Sequence, residues 1–142
     1  MPLKTLLTAA AALYATLVTQ IIAAETLTVV VTNVPKSEGT IMLQVMSGEV
    51  EFRGEASPVA SIMQRAQAGD MSFTTTALPA GEYAVRVMHD LNDNGELDAN
   101  FVGMPTEPWA MSNNAKGNFG PPKWKDVKFE LQGSVTQTLK LN

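Results

Sequence analysis

The chain has no cysteine and a single histidine, and aromatic residues make up 6% of it. Without cysteine there is no disulfide, no zinc–thiolate site, no covalent haem and no thiol nucleophile. Such a chain must hold itself together with its core, with or without a bound metal. One histidine cannot build the two- or three-histidine shell that transition-metal sites use. Basic charge is also scarce: 10 Lys and Arg face 14 Asp and Glu, a formal net charge of −4. Nucleic acid needs a basic surface and is excluded as a partner, and anionic membrane surfaces are disfavoured. Cationic partners and divalent metals are electrostatically easier.

Charge is absent again between Lys4 and Glu25. The stretch "LLTAAAALYATLVTQIIAA" is apolar and ends in small residues, which is the pattern of a secretory signal peptide. Residues 1–24 are expected to be cleaved off, with the cut after Ala24 (Ala23 is the neighbouring option), leaving no membrane span. The competing reading is an uncleaved anchor, since about 18 apolar residues can cross a bilayer. Residues 25–142 then form one domain in the periplasm or outside the cell, long enough for a single core.

What remains is rich in short β signals. "TLTVVVTN" over 26–33 alternates and is β-branched. "IMLQVMS" over 41–47 follows the turn "PKSEGT", and the two read as a hairpin. Residues 58–68 fit helical spacing in part, but their shortness and the closing "AGD" favour an extended strand. Strands are expected at 71–77 and 82–89, joined by the turn "LPAGEY". In the second, Tyr83, Val85 and Val87 face one way and Ala84, Arg86 and Met88 the other. A final hairpin is expected around Gly133. This is an all-β protein: an antiparallel β-sandwich of about seven strands with one long packed loop. That loop, 90 to about 125, contains Phe101, Trp109, Phe119 and Trp124, which are expected to pin it to the sheet. Methionines such as Met42 and Met46 read as core filler rather than as a soft copper site.

The loop opens with the densest chemistry in the chain, "HDLNDNGELDANFVGMPTEP". Asp90, Asn92 and Asn94 alternate before Gly95, and Asp98 follows. This spacing resembles the first half of an EF-hand calcium loop, with Glu96 offering its backbone carbonyl and Leu97 as the apolar anchor. The twelfth position is Phe101 where that family has a bidentate glutamate, and a strand rather than a helix precedes the loop. A true EF-hand is excluded. Calcium remains a candidate cofactor, with Asn100, or Glu107 folded back, completing the shell. The alternative is a metal-free turn held by Asn and Asp side chains. A second group, His89, Trp109, Asn113 and Asn114, is the candidate for a small ligand such as a sugar, or with Asp90 for a hydrolase. The same aromatics and amides could equally pin the loop. A glycosidase acid pair drawn from Asp90, Asp93, Glu96, Asp98 and Glu107 is disfavoured, because the carboxylates crowd one loop instead of facing each other across a cleft.

The segment from "LPAGEYA" to "GPPKW" resembles the bacterial family DUF2141. The resemblance rests on the Leu-Pro-x-Gly-x-Tyr-Ala turn at 78–84, the His-Asp loop at 89–98, Gly-x-Pro-x-Glu at 103–107, Ser-Asn-Asn at 112–114 and Gly-Pro-Pro at 120–122. Ala110 and Met111 depart from the expected Gly-Phe. The resemblance implies an exported single-domain protein of the bacterial envelope with no assigned activity. It also implies a likeness to prealbumin-like accessory sandwiches, and a binding or structural role with an envelope partner or small ligand. The mature protein recovered from expressing bacteria is expected to begin at Glu25, as read by intact-mass spectrometry. A full-length chain retained in the membrane fraction would instead support the anchor.

Overall fold

The computed structural model describes residues 23–142, and the expected signal peptide lies outside them except for its last two residues. Alternation sets the first strand, β1 (Glu25–Val34): Leu27, Val29 and Val31 are buried while Thr26, Thr28, Val30 and Thr32, which alternate with them, are half-buried. β1 is the middle of a three-stranded sheet. It pairs antiparallel with β4 (Gly69–Leu78) and parallel with β8 (Ser134–Lys140). The second sheet runs β3 (Ala60–Arg65), β2 (Thr40–Met46), β5 (Gly81–Asp90), β6 (Trp109–Met111). β7 (Phe129–Leu131) pairs with the start of β5, and β6 with its later part, so both short strands share one edge of β5.

The two sheets face each other across a core of aliphatic side chains. Leu27, Val29 and Val31 of β1 meet Ile41, Leu43 and Val45 of β2 and Val85 and Val87 of β5. The expected facing of Tyr83, Val85 and Val87 is the one observed. Residues 60–65 are extended, as expected from the brevity of that segment.

Three expected features need correction. The strands β1 and β2 are not a hairpin, because they lie in different sheets. The last two strands, β7 and β8, are likewise split between the sheets, and the β1–β8 pair is parallel, so the sandwich is not wholly antiparallel. Turn chemistry specifies a reversal of the chain and not its hydrogen-bonding partner. In "PKSEGT" the reversal carries the chain across the sandwich. Gly39 sits there at φ 72°, and a Cβ on it would lie 2.1 Å from the carbonyl oxygen of Asp90. In "LPAGEY" the crossing is locked by the Tyr83 hydroxyl, which donates to the Pro79 carbonyl at 2.8 Å, the arrangement of a tyrosine corner.

The third correction concerns the long loop. It holds β6, a 3-10 turn (Ser112–Asn114) and the one-turn helix α2 (Trp124–Val127). With the short helix α1 (Glu49–Phe52) it covers part of the outer face of the second sheet. Met46, Ala84, Met111 and Val127 form a small second core there, with Trp109 and Trp124 packed on it and the Phe52 and Trp124 rings 6.0 Å apart. The tryptophans therefore pin the loop as expected. Phe101 and Phe119 do not: both stand fully in solvent. Among the described residues no helix is long and apolar enough to cross a membrane.

Candidate functional site

The loop after β5 is organised by three carboxylates, each turned toward N–H groups. Asp90, at the end of β5, is 2% exposed. Its two oxygens accept from the backbone N–H groups of Asn94 (3.1 Å) and Gly95 (2.7 Å), which curls the chain into a tight turn. Asp93 and Gly95 take left-handed backbone angles in that turn. Asn92 and Asn94 each cap an Asx turn, accepting from the N–H two residues further on. Their amide N–H groups then point at Asp98, one to each oxygen, at 2.7 and 2.8 Å. Glu107 folds back through "VGMPTEP". Its oxygens accept from Leu91 N–H at 2.8 Å and Asp98 N–H at 3.0 Å, so one buried carboxylate ties the start of the loop to its middle.

Beyond Asp98 the chain makes a narrow hairpin. Ala99 bridges Pro105, Thr106 N–H donates to the Asp98 carbonyl, and the Asn100 side chain accepts from Val102 and Met104 N–H. Phe101 and Val102 are thrust out at its tip. Asp93 faces outward and binds the Thr40 hydroxyl and Arg65. The hydrogen bond from Thr40, then that from Arg65, holds its carboxyl below the usual carboxylate range. Glu96 is exposed and lends only its backbone N–H.

Calcium needs six to eight oxygens around one point. The spacing 90, 92, 94, 98 does bring these side chains together, and Glu107 does return to them. As folded, the side-chain oxygens of Asp90, Asn92, Asn94, Asp98 and Glu107 all accept from N–H groups. An aspartate at position 92 or 94 would have one oxygen for the turn N–H and one for a cation. Asparagine has a single oxygen, and the turn N–H occupies one of its two lone pairs. Its NH2 group stands where the second oxygen would, donating to Asp98 as a cation otherwise would attract it. No group of three or more His, Asp or Glu side chains among the described residues is placed to hold a metal ion.

The second candidate set is not gathered into one place. His89 is fully buried and lies opposite Ile41, facing the interior between the sheets. Its Nε2–H donates to the Glu38 carbonyl at 2.6 Å, and its Nδ1 is buried without a partner. The Asn113 NH2 donates to the carbonyls of Asp126 and Lys128, and its backbone N–H to the Gln137 side chain. Asn114 pairs with the edge of β8 through the Thr138 carbonyl and the Lys140 N–H. Ser112 is buried: its hydroxyl accepts from Val85 N–H and donates to the Val127 carbonyl, filling the gap between β6 and β7 along β5. The Ser-Asn-Asn run is thus a staple between both sheets and α2. Of this candidate set, Asn114 lines a small recess, and Trp109 reaches a larger concave surface.

That surface is a groove of about 770 Å³ built by the long loop. One wall is the hairpin that Glu107 holds (Val102, Met104, Pro105). The other is the segment Lys116–Pro122, and Trp109 and Met111 of β6 form the floor. Gly117 lets that second wall fold tightly, since a Cβ on it would fall 1.5 Å from the Gly120 carbonyl oxygen. The sequence reading missed Val102, Met104, Phe119 and Pro121 as site residues. The available signal was their position in a Gly- and Pro-rich loop that lacks strand alternation.

Fold and site together define a small β-sandwich whose longest loop is braced from within and presents an apolar groove. A family model described as an uncharacterized protein conserved in bacteria (DUF2141) matches residues 29–138. The chain belongs to that family. No curated protein and no solved structure matches it.

Replacing Glu107 with glutamine turns one N–H acceptor into an N–H donor. Chemical unfolding of Glu107→Gln is expected to show a loss of about 2 kcal/mol, whereas Glu96→Gln stays within about 0.5 kcal/mol of the parent. Equal stability of the two variants would deny Glu107 its bracing role.

Proposed function

We propose that this chain is an exported, non-catalytic binding module of the bacterial envelope, and that the groove between the two loop walls is its binding surface. The observation that carries this reading is the groove itself, rimmed by large apolar side chains that the fold leaves in solvent: Val102, Met104 and Phe119, with Phe101 beside them. Contiguous exposed apolar surface on a small domain marks an interaction site. The volume lies in the range of small-molecule sites. Export is supported by the start of β1 at Glu25, the first residue left by the expected cleavage.

A hydrolase built on His89 and Asp90 has less support. His89 is enclosed between the sheets, both Asp90 oxygens are engaged by backbone amides, and neither residue lines the groove. A sugar site on Asn113 and Asn114 is disfavoured in the same way, because their amides are spent on backbone partners. In this reading the acidic loop is a brace that keeps the groove wall in place, with amide N–H groups in the role of a cation.

Nile red, a neutral dye that brightens on apolar surface, tests the groove. The parent protein is expected to enhance its emission. Val102→Asp/Met104→Asp is expected to abolish the enhancement with an unchanged melting temperature, since both side chains are exposed. Undiminished enhancement in that variant would remove the groove as the binding surface. The brace has a separate test. Millimolar calcium is expected to leave the parent melting temperature in place and to raise that of Asn92→Asp/Asn94→Asp, because binding to the folded state alone stabilises it. A calcium-dependent rise in the parent itself would return the ion to the loop.

A further inference from the structure

The charged side chains along the groove are of one sign. Among the described residues the large groove has a single charged side chain in its lining, Lys116. A smaller recess adjoins it, shares Met111, Lys116 and Asn142, and adds Lys140. No acidic side chain lines either one, in a chain where acids outnumber bases 14 to 10. The ion pairs among the described residues engage Arg53, Arg65 and Lys128, and neither Lys116 nor Lys140. Both lysines are exposed, and the staple fixes their backbones: Lys140 N–H donates to the Asn114 side chain, and Lys116 follows the same 3-10 turn by two residues. One end of an apolar trough therefore carries two ammonium side chains and, among the described residues, no acidic side chain.

We propose that the groove takes a single-chain anionic amphiphile: an acyl chain laid over Trp109 and Met104, with a carboxylate head at Lys116 and Lys140. This rests on the groove being a binding surface, and it adds the chemistry of the occupant. An ammonium pair selects the head by charge, weakly and in a salt-dependent way at such exposed positions. The chain contributes the affinity, at about fourfold per methylene removed from water. A neutral or cationic head loses the first contribution and keeps the second.

The test is calorimetric titration of the full mature protein with laurate, dodecanol and dodecyltrimethylammonium, each below its aggregation limit. Laurate is expected to bind about tenfold more tightly than the cationic chain. Decanoate is expected to bind more weakly than laurate by the methylene factor. Lys116→Glu/Lys140→Glu, both at exposed positions, is expected to erase the preference for laurate while dodecanol binding persists. Lys123→Glu/Lys125→Glu, an equal change of net charge outside the groove lining, is expected to retain it. Equal binding of all three head groups, or equal loss of preference in the two charge-reversed variants, would overturn the anionic occupant and leave the binding surface standing. If no chain binds and Nile red also fails to respond to Val102→Asp/Met104→Asp, both readings fall together.

Discussion

A single buried carboxylate, that of Glu107, carries the architecture of the site. It accepts two backbone N–H groups from residues 16 and 9 positions earlier in the chain. Those N–H groups belong to a loop that has left the sheet and has no ladder partner. Backbone donors shut away from water must be paired, and a charged acceptor pairs them more strongly than a neutral one. Glu107 immediately precedes Pro108, whose carbonyl accepts from His89 N–H at 2.8 Å. The return of the chain to β5, the register of β6 and the position of Trp109 all follow from where Glu107 is held. The groove wall at Val102 and Met104 is therefore placed by charge-assisted hydrogen bonds to the backbone rather than by a core.

The opposite wall depends on a different economy of hydrogen bonds. β5 has one long edge served by two short strands, and three residues of β6 cannot reach three residues of β7. Ser112 closes that gap with one hydroxyl, which both accepts from and donates to main-chain groups. Asn113 and Asn114 then adopt left-handed backbone angles, which asparagine tolerates better than most residues, and turn their amides onto α2 and β8. Three consecutive polar side chains thereby join two sheets and a helix. They look like a ligand site in sequence because polar residues that satisfy backbone groups and polar residues that bind ligands are the same residues.

That ambiguity explains what the sequence could and could not reveal. Alternation gave the strands and the buried face of β5, because a period of two reflects a physical fact about side-chain direction. Sheet membership was not legible, since "PKSEGT" and "LPAGEY" reverse the chain equally well within a sheet or across the sandwich. The convergence of residues 90, 92, 94, 98 and 107 was legible from spacing and from the fold-back at "VGMPTEP". What sits at their centre was not, because asparagine in an Asx turn can lend its oxygen to a cation or its NH2 to a carboxylate. Phe101 and Phe119 were misread for a simpler reason. Aromatic residues are core residues by default, and only a tertiary structure shows that the loop hairpin points them outward.

Exposed phenylalanines cost a small protein solubility, and a sandwich of this size has little core to spare. The chain had ways to hide them. The second core around Met46, Ala84 and Met111 already holds two tryptophans and Phe52, so apolar packing on that face is available within a few residues. Instead the structure commits Glu107, Asn100 and a Gly-Pro-rich turn to keeping the loop tips away from it. A brace that holds apolar side chains out of the core is hard to understand as stabilisation. It fits the binding surface proposed above, whose lining among the described residues carries lysine and no acidic side chain.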